Sequence, residues 1–148
     1  MILVHQILDD ARKRLAVLSR EALITEAAVL LADPDTPLVI VCDSEGVAVG
    51  VISRTDIVKV LASAGGDAHK MNAGAVMANP VFSCHVNEAA QQVWEGMNAR
   101  SLRAVPILDT SGRPQGIVHA RDLARALLDE VNEEEILLRN YVLGVGYQ

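Results

Sequence analysis

A chain of 148 residues is the size of one ordinary domain, or of two small repeats sharing a core. It is 51% hydrophobic but only 3% aromatic, so a sizeable core has to be aliphatic, and little is left for stacking on single-stranded bases. The net charge of −6 argues against a nucleic-acid backbone as partner, because that affinity is built on clustered Lys and Arg.

The opening MILVHQILDDARKR is a poor signal peptide: its apolar part comes first, is interrupted by polar residues and is followed by the charges. No apolar run approaches the roughly 20 residues of a membrane helix. The periodic stretch 25–32 predicts a helix ended by Pro34 and Pro37. Residues 38–43 (LVIVCD) form a short β-branched run, the mark of a strand buried on both faces. The turn DSEG, a strand over 47–53 and a helix from Thr55 or Asp56 follow. Residues 65–75 have the composition of a linker. The second half then repeats the plan: helix 87–100, strand 104–109, turn DTSG, strand 115–120, helix 121–131. The tail 131–148 continues or restarts a helix with an acidic first turn and is expected to lose it at Gly144 and Gly146. Cys42 and Cys84 form no Cys-x-x-Cys pair and are expected to sit reduced in strands, which suits a cytoplasmic protein.

The repetition is explicit. GVISRTDIVKVLAS (50–63) returns as GIVHARDLARALLD (116–129), so Asp56 and Asp122 are 66 residues apart, as are Gly46 and Gly112, and Asp43 and Asp109. Glu26-Ala27-Ala28 instead matches Glu88-Ala89-Ala90 at an offset of 62, which predicts that the first copy lacks four residues between its first helix and first strand. Two units that each leave an apolar sheet face exposed pack against each other, creating two clefts related by symmetry.

On these residues the chain resembles a tandem pair of CBS domains, a Bateman module. The stretch RAVPILDTSGRPQGIVHARDL is especially close to the family pattern, and the likeness covers roughly residues 2–130. The resemblance implies an α/β (α+β) fold of two β-α-β-β-α repeats packed with pseudo-twofold symmetry. The first repeat would occupy 1–64, the second 76–130. It also implies a regulatory, non-enzymatic protein that binds an adenosine-containing ligand (AMP, ADP, ATP, S-adenosylmethionine or NAD) between the repeats, requires no cofactor and pairs helix to helix as a homodimer. A separate effector protein is then needed; nucleic acid and membrane are not expected as partners.

The chemistry of the candidate site is consistent with that. A carboxylate in the first turn of a helix is favoured by the helix dipole, and its two oxygens can accept from both ribose hydroxyls. Hydroxyls just before it and free N–H groups at the helix start suit phosphate. Ser53, Arg54, Thr55 and Asp56 supply this set in the first repeat. The resemblance places Val81 and Phe82 beside the base, with Leu102, Arg103 and Ala104 on the opposite wall and Arg103 able to pair with a phosphate. In the second cleft His119 stands where Ser or Thr is expected, followed by Arg121 and Asp122; its opposite wall would come from Val17, Leu18, Thr36 and Pro37. The carboxylates could equally serve as helix caps, and the chain as a structural or dimerisation module with empty clefts.

Other patterns point nowhere specific. His5, His69, His85 and His119 have no metal-ligand spacing. HARDLARAL lacks the spacing and glycine-rich loop of a kinase, and GVGY lacks the strand and helix of a phosphate loop. Trp94 and Met97 are expected in the core or on a dimer face. No catalytic or metal-binding set can be assembled.

Overall fold

The computed structural model describes residues 1–79 and 82–146, the last three by their backbone alone. A 3-10 helix (Val4–Ile7) runs into α1 (Leu8–Lys13). The first repeat follows as β1 (Val17–Ser19), α2 (Ile24–Leu31), β2 (Val39–Cys42), β3 (Ala48–Ile52) and α3 (Arg54–Ala64). A 3-10 helix (Gly65–Lys70) and α4 (Ala73–Val76) lead to α5 (Ala90–Ala99), β4 (Ala104–Leu108), β5 (Pro114–His119) and α6 (Ala120–Gly146).

The sheets are a pair of near copies. In the first, β1 lies parallel to β2, and β2 antiparallel to β3. In the second, β4 and β5 are antiparallel, and a single parallel bridge between Cys84 and Ile107 stands where Leu18 pairs with Val41 66 residues earlier. All four residues of β2 are buried, as its unbroken apolar sequence demands. Both hairpins turn by the same device. The Asp43 carboxylate accepts the N–H groups of Glu45 and Val47, and that of Asp109 accepts those of Ser111 and Arg113. Gly46 (φ 81°) and Gly112 (φ 85°) take the left-handed position each turn requires.

The α/β fold of two β-α-β-β-α repeats is therefore present, and the repeats meet through sheet residues. Leu38, Ile40, Cys42, Ala104 and Ile117 form one buried cluster, with Ala48 and Val51 packed on it. Leu38 and Ala104 are equivalent positions, as are Val51 and Ile117, which is what a pseudo-twofold interface produces. Each repeat is completed by a segment that precedes the other. Val4, Ile7, Leu8 and Ala11 bury against Val93, Met97, Val105 and Val118, while Ala73 and Met77 pack with Ala27, Val39 and Ile52.

Three sequence expectations need correction. The first copy lacks no four residues: α2 and α5 start 66 apart, and their buried faces, Ile24, Ala27 and Leu31 against Ala90, Val93 and Met97, keep that offset. The shared Glu-Ala-Ala misleads because each Glu caps a different turn. Glu26 accepts the Leu23 N–H at the helix start, whereas Glu88 accepts the His85 N–H one turn ahead of α5. The stretch expected as a linker is folded, because its small residues Ala68 and Ala73 bury closely. Finally, α6 runs unbroken to Gly146: helix propagation outweighs a glycine penalty of about 1 kcal/mol.

Both cysteines are free and buried. Burial pushes the Cys42 thiol up and that of Cys84 to about 12, so neither is a ready nucleophile. Met97 is fully buried and Trp94 packs on the same cluster. Among the described residues no helix is long and apolar enough to cross a membrane.

Candidate functional site

The junction of β3 and α3 builds the site. Ser53 is extended and caps α3, its Oγ accepting the Asp56 N–H. Asp56 Oδ2 accepts in return from the Ser53 N–H at 2.8 Å and from the Ser53 hydroxyl at 3.1 Å. These bonds fix the carboxylate at the positive end of an 11-residue helix. Its Oδ1 accepts from no described residue.

Asp56 faces a cleft of about 580 Å³ between the repeats, lined by Pro37, Leu38, Val51, Ser53, Arg54, Thr55 and Ala78 on one side. Ser101, Leu102, Arg103 and Ala104 line the other. A contiguous apolar cavity of about 430 Å³ adds Phe82, Arg100 and Pro106. The Phe82 ring packs against Gly96, where a Cβ would lie 2.6 Å from Cζ. The Arg100 guanidinium sits 4.1 Å over the ring centroid. The cleft thus offers an acceptor for hydroxyls, an apolar wall for a planar ring and, in Arg103, a cation for an anionic group.

Arg54 has a different employment. Its guanidinium donates to the carbonyls of Leu31, Asp33 and Thr36 at 2.8–2.9 Å, which clamps the loop between α2 and β2. That loop delivers Pro37 and Leu38 to the Asp56 cleft, so Pro37 lines this cleft and not the opposite wall of the other. Sequence reasoning missed Leu38, Val51, Ala78, Arg100 and Ser101. The offset of 66 applied to Ala104 finds Leu38. Ser101 has its own signal only in the backbone: at φ 55° it ends α5 as glycine commonly does, and the next N–H, of Leu102, returns to the Met97 carbonyl at 2.9 Å.

His119, Arg121 and Asp122 gather elsewhere, at the start of α6. His119 Nδ1 accepts the Arg121 N–H at 3.0 Å, the capping task that Ser53 performs in the first repeat. Burial, with the Arg121 and Arg14 cations nearby, holds its imidazole below the ordinary histidine range. Asp122 lies in a charged depression of about 330 Å³ with Asp10, Lys13, Arg14, Asp35 and Arg125. There Arg14 Nε donates to Oδ2 at 2.8 Å and Nη2 to Oδ1 at 3.3 Å. The structure therefore joins Ser53, Arg54, Thr55, Asp56, Leu102, Arg103 and Ala104 in one cleft, with Phe82 in its apolar extension, and sets the His119 group apart. Val81 lies outside the described residues. No group of His, Cys, Asp or Glu able to hold a metal occurs among the described residues.

Two sheet repeats facing each other across a ligand-sized cleft, with a capped carboxylate at a helix start on one wall, define a tandem-repeat α/β module. The chain belongs to the CBS domain family: the family profile matches residues 4–63 and 73–129, one match on each repeat. Among solved structures it resembles the CBS domain pair of protein MJ0100 in complex with 5′-methylthioadenosine and S-adenosyl-L-methionine. The TM-score is 0.74 at 27% identity, covering 88% of this chain and 98% of that one. An uncharacterized 17.7 kDa protein of Acidianus ambivalens is 30% identical over 119 residues, which is 80% of this chain and 71% of that protein. L-aspartate semialdehyde sulfurtransferase of Methanocaldococcus jannaschii is also 30% identical, over 69% of this chain but only 19% of the longer protein.

Proposed function

We propose that the chain is a regulatory module that binds an adenosine-containing ligand (AMP, ADP, ATP, S-adenosylmethionine or NAD) in the Asp56 cleft and transmits its occupancy to an effector carried by another chain. The observation that carries this reading is the Asp56 carboxylate. It is fixed by Ser53, has a free Oδ1, and faces Leu102 and Arg103 across about 580 Å³. The MJ0100 pair in complex with two adenosyl compounds supports the same ligand class. The output available is the difference in ligand affinity between two states of the module. No reaction is assigned to the cleft: the Ser53 hydroxyl and Asp56 carboxylate that meet there are engaged in capping α3, beside a cation and apolar walls.

Thermal shift with AMP, ATP, S-adenosylmethionine and NADH tests it. Ligand at 100 times its dissociation constant adds about 2.7 kcal/mol of stability. Asp56→Ala, by removing charge-assisted bonds to ribose, weakens binding by roughly 10-fold to 150-fold (about 1.5–3 kcal/mol), and Asp122→Ala weakens it less. Silence toward all four compounds favours the second reading, a dimerisation module, for which the exposed apolar side chains late in α6 speak.

A further inference from the structure

Asp56 and Asp122 hold the same position in the two repeats, but only Asp56 keeps an oxygen free. Both Asp122 oxygens are engaged by one guanidinium, that of Arg14, which is 108 residues away in sequence. Arg14 caps α1, in the segment that crosses over to pack on β5. A third bond, to the Asp35 carbonyl at 3.2 Å, anchors the same guanidinium from the other repeat. The pair is well removed from water, the two side chains being 14% and 10% exposed. It is the single ion pair among the described residues in which both partners are so covered; the others are largely surface contacts.

We propose that Arg14 is a built-in occupant of the second cleft: its guanidinium takes the two carboxylate oxygens that ribose hydroxyls would otherwise use, and so restricts the module to one adenosyl ligand per chain. This rests on the adenosyl reading of the Asp56 cleft. The physics is a competition. A ribose offers Asp122 two neutral donors, whereas Arg14 offers two charge-assisted ones already in place, with no ligand entropy to lose. A ligand that displaced Arg14 would also strand a covered cation beside Asp35. The surroundings reinforce the exclusion. His119, spent on the Arg121 N–H, replaces the hydroxyl that Ser53 provides. The depression around the pair is lined by charged side chains of both signs, Asp10 and Asp35 with Lys13 and Arg125, rather than by an apolar wall for a base.

Calorimetric titration with AMP and with S-adenosylmethionine, on wild type, Asp56→Ala and Asp56→Ala/Arg14→Ala, tests the proposal. The Asp56→Ala background removes the open cleft, so any binding gained there reports on Asp122. The expected result is one site in wild type and, in the double variant, a new site at least about 10-fold tighter than anything left in Asp56→Ala. Should Arg14→Ala fail to melt cooperatively, Asp56→Ala/Arg14→Met, which keeps most of the stem's packing and offers Asp122 no donor, is titrated in its place. Two sites per chain in wild type overturn the proposal, and so does a folded double variant that gains nothing. Wild type binding no better than Asp56→Ala would instead sink the reading of the Asp56 cleft, while the gain on removing Arg14 is still scored separately.

Discussion

Gly116→Ala tests the way the chain's first segment crosses over to complete the second repeat. Gly116 lies in β5 opposite Ile107, and α1 passes directly over it. A Cβ there would sit 2.9 Å from the Ala11 carbonyl carbon and 3.0 Å from both its oxygen and its Cβ. These are backbone atoms and a methyl on a buried helix, so no side chain can swing aside; α1 itself has to move by several tenths of an ångström. Overpacking of this kind costs about 1–3 kcal/mol, offset by roughly 0.4–1 kcal/mol from the lower entropy of the unfolded chain. The difference runs from about 0 to 2.6 kcal/mol and centres on a loss of about 1.3 kcal/mol, read as a lower urea midpoint at unchanged slope. Gly50, the equivalent position in the first repeat, is the control. The three nearest atoms to a Cβ there are Sδ, Cγ and Cβ of Met77, just beyond the four-residue α4, and the first two can swing aside where the backbone of α1 cannot. Gly50→Ala therefore costs less. A neutral Gly116→Ala, or a Gly50→Ala that is equally or more damaging, refutes the argument that rigid backbone contact makes the difference.

His119 gives the protein a pH-sensitive step. Because its folded pKa lies below the ordinary 6.5, the unfolded chain protonates first; the stability present above pH 6.5 is lost as pH falls through the folded value. Asp43 and Asp109, held low mainly by backbone N–H groups, lose their contributions only further down, below 3.8. Melting temperature against pH for His119→Gln, which keeps an acceptor without titrating, is expected to flatten the upper step alone; an unchanged profile refutes this. Homodimerisation is the third expectation. Leu137, Leu138, Tyr141 and Val142 are 65–71% exposed on α6 and share one face of the helix, an apolar stripe that calls for cover. Light scattering is expected to give twice 15.9 kDa, and a monomer mass at micromolar concentration refutes it.

The repeat, its strands and its hairpin turns were legible because they are local. Alternation, β-branching and Asp-x-x-Gly chemistry act within a few residues, and the offset of 66 then doubles every observation. The Asp56 cleft was legible for a related reason: Ser53, Thr55 and Asp56 lie together at the helix start that Ser53 caps, while the facing Leu102–Ala104 edge came from the family resemblance. What escaped the sequence is what arrives from a distance. Equivalent aspartates, each in the first turn of an equivalent helix, look interchangeable until the neighbours are known. The neighbour that decides Asp122 is Arg14, brought in by a segment that precedes the first repeat yet packs on the second. The same crossing puts Ala11 over Gly116, whereas the counterpart segment puts a pliable Met77 over Gly50. The sites diverge through the crossing segments, which carry none of the repeated motif. The described residues of the segment completing the first repeat pack small and apolar side chains, Ala73 and Met77, into its core, and Asp56 Oδ1 accepts from no described residue. Under the proposed competition, the asymmetry expected from His119 and Pro37 is carried mainly by Arg14, a charge that no comparison of the two motifs contains.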